Sequence, residues 1–530
     1  MTPLVAVRGV VDGFVGRVTM YRLLTIVLTA TAVVYLLFTA TGVIEGLSTT
    51  DNLLALVVVV VASYAANRLL GPLWGVRPHG ESAVITGLLL FFLFVPLPTT
   101  ATTANLAWLA GAAVLANLSK YVLAWRGRHV LNPAAAGALL VVLAQWAVGR
   151  DLTINPIWQT AASEPLLPFV AVGALLVLWR TGRLDVGLVF VVLAGAGVVL
   201  TLVLAFDTPV ADALRTAAYS YPIVFLGGFM LSEPLTLPPR RWQQWLVAAV
   251  VAVLFVYPLA SQPVLGVAPF TWGPVTATPE LALLVGNLLA FVLARRTGVV
   301  LETTGVRALS ADTVEVAFRP RRDVRFVPGQ YLELHVPHAG ADGRGVRRVF
   351  SISSPPSSDT LTVAVRVPET SSSFKKALVG LDEGERVRAT GVHGDFVWPR
   401  DAGRDADRPL LLVAGGIGIT PFLSQLRAGR ARDVVLVYGV PDGDDVPYRD
   451  ELVATGVRVV LVSPRRPADL PEHWTHVASP FVTGAVVDET VPDAASRRAY
   501  VSGSPAMVNA LRTDLRRRCA SLRTDAFTGY

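Results

Sequence analysis

The chain has 530 residues, 53% of them hydrophobic and 16% charged, with a net charge of +7. Soluble proteins carry roughly 25% charged residues, so this composition argues against a purely soluble protein. The basic residues mostly flank apolar runs, which argues against a nucleic-acid surface, and the lone cysteine, Cys519, permits no internal disulfide and no cysteine-ligated cluster or zinc site.

A hydrocarbon core ~30 Å thick needs ~20 apolar residues of helix. Runs at 20–42, 52–70, 82–97, 104–124, 132–148, 165–180, 185–206, 219–232, 243–260 and 279–294 predict about ten spans. The first is long enough to span and lacks a small-residue cleavage site, so no cleavable signal peptide is expected. The eighth contains Pro222, Gly227 and Gly228; a broken or re-entrant helix buried in protein is expected there. With the N-terminus inside, the inner segments carry fourteen Lys and Arg, while the outer loops carry only Arg150 and Arg215. That asymmetry predicts a multi-pass protein of the cell inner (cytoplasmic) membrane with both termini cytosolic. None of the seven histidines lies inside a predicted span, which excludes the stacked histidine pairs of a haem-bearing membrane reductase.

The third and eighth runs echo each other. Gly87-Leu88-Leu89-Leu90 leads to Val95-Pro96-Leu97-Pro98, and Gly228-Phe229-Met230-Leu231 leads to Glu233-Pro234-Leu235. Five spans separate them, so the copies would form an inverted repeat, an arrangement that often places a site at the repeat interface. Gly87 to Leu140, with Lys120 and Leu131-Asn132-Pro133-Ala134, and Phe229 to Thr236 together resemble the membrane flavin subunits of the sodium-translocating NADH:quinone reductase and of the Rnf complex. The resemblance implies a ten-span, flavin-carrying electron-transfer domain. In that family a Ser/Thr-Gly-Ala-Thr segment bears covalent FMN. Here the nearest match is Thr160-Ala161-Ala162-Ser163, without the glycine and with serine as acceptor, so no covalent flavin is expected. Non-covalent FMN or riboflavin would be held near Asn132, Ser232 and Glu233.

From about Leu301 short β-branched runs replace the apolar ones: Thr313 to Phe318, Tyr331 to Val336 and Leu361 to Arg366. Their alternation predicts a small antiparallel β-barrel over 299–405. From about Pro409 the pattern becomes strand, glycine loop, helix and strand, which predicts a parallel-sheet α/β domain over 406–530, after a transmembrane domain at 1–298.

Two motifs carry the chemistry. In Arg348-Val349-Phe350-Ser351 a guanidinium can clamp a pyrophosphate, an aromatic ring can lie on a flavin, and a hydroxyl can bond flavin N5. Ser371-Ser372-Ser373-Phe374 opens a predicted helix whose free N–H groups suit phosphate. In Gly415-Gly416-Ile417-Gly418-Ile419-Thr420-Pro421 glycines admit phosphate to backbone N–H groups at a helix start. Together these segments resemble the ferredoxin–NADP reductase superfamily. The resemblance implies FAD at Arg348, Phe350, Ser351, Ser372 and Ser373, and a nicotinamide nucleotide at Gly415, Gly416, Gly418, Thr420 and Pro421. It also implies that Ser502 and Gly503, in a segment where the family has Cys-Gly, lie beside the nicotinamide, and that Phe527 and Tyr530 cover the flavin face. Asp442, Asp444 and Asp445 would repel a 2′-phosphate and favour NADH; Arg465-Arg466 argues for NADPH.

The sequence thus predicts a membrane flavoprotein that takes hydride from cytosolic NAD(P)H to FAD, with Ser351, Phe350, Ser502 and Tyr530 at the reacting centre. Single electrons would then pass into or across the membrane to quinone or to an extracytosolic flavin or electron-acceptor protein. Two alternatives stay open: quinone reduction at the inner leaflet, and a transporter with a redox-sensing reductase domain.

Overall fold

The computed structural model describes residues 20–74, 78–95, 103–125, 128–149, 153–238, 240–294, 298–340, 346–398, 408–429 and 433–527. The chain divides into two compact units, Met1–Arg295 and Arg296–Tyr530.

Each of the ten apolar runs coincides with helical structure in the first unit. Five helices are long and apolar enough to cross a membrane: Met20–Ala40, Thr49–Leu73, Glu164–Thr181, Leu184–Phe206 and Arg241–Ala260. Gly80–Phe94, Pro133–Ala147 and Pro279–Ala294 are apolar but shorter. The eighth run is broken: one α-turn, Ile223–Phe225, passes into a π-turn, Leu226–Met230. Pro222 stands at its start, where a missing N–H does least harm. Both glycines of the echo serve close packing. A Cβ on Gly87 would lie 2.8 Å from the Val60 Cα, and one on Gly228 would lie 2.3 Å from the Ala174 Cβ.

The order of helix partners recurs. Thr49–Leu73 packs on Thr103–Val122, which packs on Pro133–Ala147; Leu184–Phe206 packs on Arg241–Ala260, which packs on Pro279–Ala294. Likewise Met20–Ala40 meets Gly80–Phe94, and Leu167–Thr181 meets the broken segment. The short helix Val210–Tyr219 was not legible as a separate element. The Pro96–Pro98 end of the echo lies outside the described residues.

The second unit holds two sheets. Strands β1 (Gly298–Ala308), β2 (Thr313–Pro320), β3 (Tyr331–His335), β4 (Arg347–Ser351), β5 (Leu361–Arg366) and β6 (Arg386–His393) pair in the order β4-β3-β6-β1-β2-β5. Every pairing is antiparallel, and Leu301, Val316, Phe318, Leu334 and Val363 fill the barrel core. Strands β7 (Leu410–Gly415), β8 (Val434–Gly439), β9 (Arg458–Ser463), β10 (Trp474–Ala478), β11 (Arg498–Gly503) and β12 (Ser521–Ala526) pair in the order β10-β9-β8-β7-β11-β12. All are parallel. Leu410, Leu412 and Ala414 enter one core, and Leu411 and Val413 the other, as a sheet covered on both faces requires.

Candidate functional site

Strand order in the parallel sheet reverses between β7 and β11. Nucleotides bind at such a switch point, beyond the carboxyl ends of the strands. Ala414 pairs with Ser502 there, so the glycine loop and the Ser502-Gly503 segment leave the sheet side by side. The three glycines differ in role. Gly416 has φ +52° and open space where a Cβ would point, which leaves its backbone approachable. Gly415 and Gly418 serve packing instead: a Cβ would lie 2.2 Å from the Met507 sulfur at the first and 2.3 Å from the Ser502 carbonyl oxygen at the second. Thr420 turns its hydroxyl back to the Ile417 carbonyl, 3.0 Å away, and Pro421 occupies the first turn of the helix Thr420–Arg427. Ser502 is fully buried, and its hydroxyl has no hydrogen-bond partner among the described residues. The Phe527 amide donates to the Gly503 carbonyl at 2.9 Å. Tyr530 lies outside the described residues.

The flavin motif occupies β4, an edge of the barrel sheet. Arg348, only 7% exposed, lays its guanidinium over the Phe374 ring at 5.1 Å. Phe350 stacks on the same ring, with centroids 5.9 Å apart. Alternation along the strand puts Arg348 and Phe350 on one face and the buried Ser351 on the other. The predicted helix forms as Ser373–Val379, capped by Ser372, whose hydroxyl accepts from the Lys375 amide at 3.4 Å. Ser373 instead pairs with His338 at 3.0 Å. The two serines thus have partners within the protein, and so does Arg348, which donates to the Arg347 carbonyl at 2.6 Å. A buried guanidinium on a strand edge, an adjoining aromatic face and a nearby helix start fit an FAD pyrophosphate and ring.

The acidic loop follows β8, as a ribose contact requires. However, Asp444 accepts from the Ala468 amide at 2.7 Å, and Asp445 accepts from the Ala311 amide at 3.1 and 3.2 Å. Each carboxylate therefore also ties the loop to the protein. The exposed pair Arg465-Arg466 follows β9; a Cβ on Gly443 would lie 2.8 Å from the Arg465 carbonyl oxygen, so the acidic and basic loops adjoin.

In the helical unit, Asn132 and Glu233 meet across 101 residues: the Asn132 amide donates to a Glu233 carboxylate oxygen at 3.1 Å. The other oxygen lies 2.8 Å from His129 Nε2. Asn132 also caps Pro133–Ala147, while its backbone N–H donates to Asn287 at 2.7 Å. Ser232 donates to the Gly228 carbonyl at 2.7 Å. These three predicted residues line one cleft, together with Tyr21, Leu89 and Phe229. Its walls are mostly apolar, with the polar groups of Asn132, Ser232 and Glu233 among them. Thr160 is buried and bonds to the Val95 carbonyl.

Sequence reasoning missed a second group of residues. Glu315, Tyr448, Arg307, Glu451 and Arg427 join the barrel to the nucleotide lobe. Burial, then the Glu315 charge, pushes the Tyr448 phenol well above its ordinary pKa, so it donates. At Glu451 burial opposes ionisation, but the Arg307 bond and the charges of Arg307 and Arg427 outweigh it and hold the pKa low. Their only sequence signal was an acidic residue inside a β-branched run. Asp525 was also missed; it pairs in register with Ser502, and burial plus the Asp395 charge raises it to about 6.

Residues 412–513 match the family model described as the oxidoreductase NAD-binding domain. The chain is 38% identical over 157 residues to ferredoxin–NADP reductase B of Sorangium cellulosum, covering 28% of this chain and 61% of that protein. It is 32% identical over 229 residues to the reductase subunit of an aromatic O-demethylase from Amycolatopsis, covering 41% of this chain and 65% of that protein. The chain thus spans less than two thirds of these relatives' length. Among solved structures, an Amycolatopsis cytochrome P450 reductase aligns at 26% identity with a TM-score of 0.38, covering 44% of this chain and 70% of that one. These sequence relatives are redox proteins, and they bear out the expectation of an FAD- and NAD(P)H-dependent oxidoreductase module in this chain.

Proposed function

We propose that the whole chain is a membrane-bound flavoprotein oxidoreductase that takes hydride from cytosolic NAD(P)H, with NADH favoured, and delivers single electrons into or across the membrane. The observation that carries this reading is the pairing of Ala414 with Ser502 at the switch point, in the same unit as the Arg348-Phe350 face on β4. FAD, when bound, accepts a hydride and releases its electrons one at a time. Arg348 would neutralise its pyrophosphate, Phe350 would support its ring, and Ser351 would face N5. Gly416 would admit the nucleotide phosphates, and Ser502 would offer its buried hydroxyl beside the nicotinamide. Residues 1–298, 299–405 and 406–530 are read as membrane, flavin and nucleotide domains.

The recurrent helix partners and the two packing glycines, Gly87 and Gly228, support an inverted repeat of five spans within a ten-span domain of the membrane flavin-subunit kind. A ~30 Å apolar layer is too wide for one efficient electron hop, so a transmembrane route requires a redox group in this domain. The cleft at Asn132, Ser232 and Glu233 suits non-covalent FMN or riboflavin. A second reading, quinone reduction at the inner leaflet, draws support from the place of that cleft. It adjoins Lys120 and Arg128, which bond to its lining residues Ser82 and Pro234 and belong to the positively charged inner side.

Sealed vesicles with the reductase unit outward test the proposal. Reduction of an impermeant acceptor trapped inside, driven by external NADH, is the expected result. Quinone reduction without lumenal reduction selects the inner-leaflet reading. Solute flux without either selects a transporter.

A further inference from the structure

Glu315 belongs to neither motif. It sits on β2, 7% exposed, and a buried carboxylate is costly unless its oxygens are well partnered. Here they are. One oxygen accepts from the Tyr448 hydroxyl at 2.8 Å and from Ser353 Oγ at 3.2 Å; the other accepts from Arg307 at 3.0 Å. Ser353 lies two residues past Ser351 and shares a further bond with Thr362 at 2.7 Å. From the nucleotide lobe, Ser424 donates to the Ser354 carbonyl at 2.7 Å, and Arg427 lies over the Tyr448 ring at 5.5 Å. Both belong to the helix that follows the glycine loop.

Tyr448 closes the loop that begins after β8. Its φ is +61°, a left-handed conformation that a bulky side chain adopts only when its surroundings impose it. Its ring is buried and its hydroxyl is held by Glu315. The same loop is tied to the barrel at Ala311 through Asp445. The loop after β8 is thus fastened twice to the barrel, once through a carboxylate that also holds the exit of the flavin strand.

We propose that Glu315 is a positioning residue for hydride transfer: by holding Tyr448 and Ser353 together, it couples the loop after β8 to the strand that carries Arg348, Phe350 and Ser351. The role rests on the oxidoreductase reading above. Hydride transfer is steep in distance, and misplacement by 1 Å can cost about 100-fold in rate, so a clamp that fixes two lobes acts on rate more than on affinity.

The test uses full-length protein in detergent, with Glu315→Ala, Glu315→Gln and Tyr448→Phe. Glu315→Gln keeps a carbonyl oxygen for Tyr448 and Ser353; Tyr448→Phe removes only the hydroxyl. In anaerobic stopped flow, Glu315→Ala and Tyr448→Phe should reduce flavin ~10-fold more slowly at saturating NADH, with FAD content and NADH dissociation constant unchanged, and Glu315→Gln should recover most of the rate. Independently of turnover, adding NAD+ should slow amide exchange at residues 311–316 in the wild type and not in Tyr448→Phe. Wild-type reduction rates in the variants, or a loss matched by lost FAD, overturn the positioning role. If Glu315→Ala fails to fold, Tyr448→Phe decides by the same two readouts. A wild-type flavin that neither NADH nor NADPH reduces overturns the oxidoreductase reading and this role with it.

Discussion

In the helical unit, large apolar side chains such as Leu69, Leu204, Val253 and Val292 point outward and are exposed, whereas in the C-terminal unit only Val306, Val327, Val349 and Phe481 do so among the described residues. Interior polarity differs as well. The helical unit buries amides and hydroxyls, among them Asn52, Ser63, Asn117, Asn132 and Asn287, with Glu280 as its one buried charged residue among those described. The C-terminal unit buries Glu315, Arg348 and Arg497. Each has partners in the second unit: Glu315 from both lobes, Arg348 in the Arg347 carbonyl and the Phe374 ring, and Arg497 in Asp433 and Asp493. In the first, neutral side chains bond across helices, as Asn117 does with Ser63 at 2.8 Å and Asn287 with the Asn132 backbone N–H at 2.7 Å. Glu233 is the carboxylate at the helical unit's cleft, bonded to His129 and Asn132.

The sharpest way to break this contrast is Arg348→Ala. Loss of a charge-assisted clamp should weaken FAD binding ~100-fold. Flavin retained after gel filtration measures it, and full occupancy would sink the assignment. Next in size is Glu233→Ala, which strips one partner each from His129 and Asn132. Leaving buried donors unmet costs about 1–3 kcal/mol, so thermal unfolding in detergent should begin several degrees lower. Leu204→Ala, on the outward face, should shift it little. Equal effects from the two variants would erase the distinction between the cleft and the outward apolar face.

Asp525 tests the second unit's tolerance of charge through pH. Its folded pKa, about 6, lies above the ordinary carboxylate value of 3.8. The native state therefore holds this proton more tightly than the unfolded state. Its contribution to stability is full below about pH 4, declines as pH rises towards 6, and stays lost above. Asp525→Asn should raise stability at pH 8 by about 2 kcal/mol at most and leave it unchanged at pH 4. A gain of the same size at both pH values would show that the carboxylate's charge is not the cause.

Legibility followed the range of the signal. The barrel strands at Thr313, Tyr331 and Leu361, the β7–glycine loop–helix unit and the ten apolar runs rest on local periodicity, and each appears where the sequence placed it. Arg348 and Phe350 were readable because their motif is contiguous. The Asn132–Glu233 contact was reached only through resemblance, since no local pattern joins residues so far apart. Glu315 showed only as an acidic residue inside a β-branched run, and Tyr448 gave no signal. Their partnership spans 133 positions and exists only once the two lobes have folded against each other. The glycines of the nucleotide loop were legible as a motif but not in their division of labour, because the approach of Met507 and Ser502 is a tertiary fact. For the same reason the acidic loop read as a ribose contact, while its bonds to Ala468 and Ala311 were invisible.

Those bonds shape the next prediction. Asp444→Ser removes a charge from the loop but also an acceptor for Ala468, so NADPH use should rise relative to NADH by roughly 10-fold in kcat/KM with a small loss of stability. Asp445→Ser should loosen the tie to Ala311 as well. An unchanged cofactor ratio in both variants would mean that the carboxylates act only as tethers.

The smallest effect is expected at Ser502. A fully buried hydroxyl without a partner among the described residues already carries its desolvation cost. Ser502→Ala should therefore leave the melting temperature unchanged or slightly higher, which is opposite in sign to the usual result for a buried polar residue. Its effect should appear only when nucleotide is present. If the hydroxyl meets the nicotinamide carboxamide, Ser502→Ala should weaken NADH binding by a few-fold, about 0.5–1.5 kcal/mol, and leave FAD content as it was. Calorimetric titration of the flavin-loaded protein with NAD+ reads the first quantity, and the flavin absorbance of the same sample reads the second. A clear drop in melting temperature without nucleotide would mean that the hydroxyl has a structural partner and is not held in reserve for the ligand.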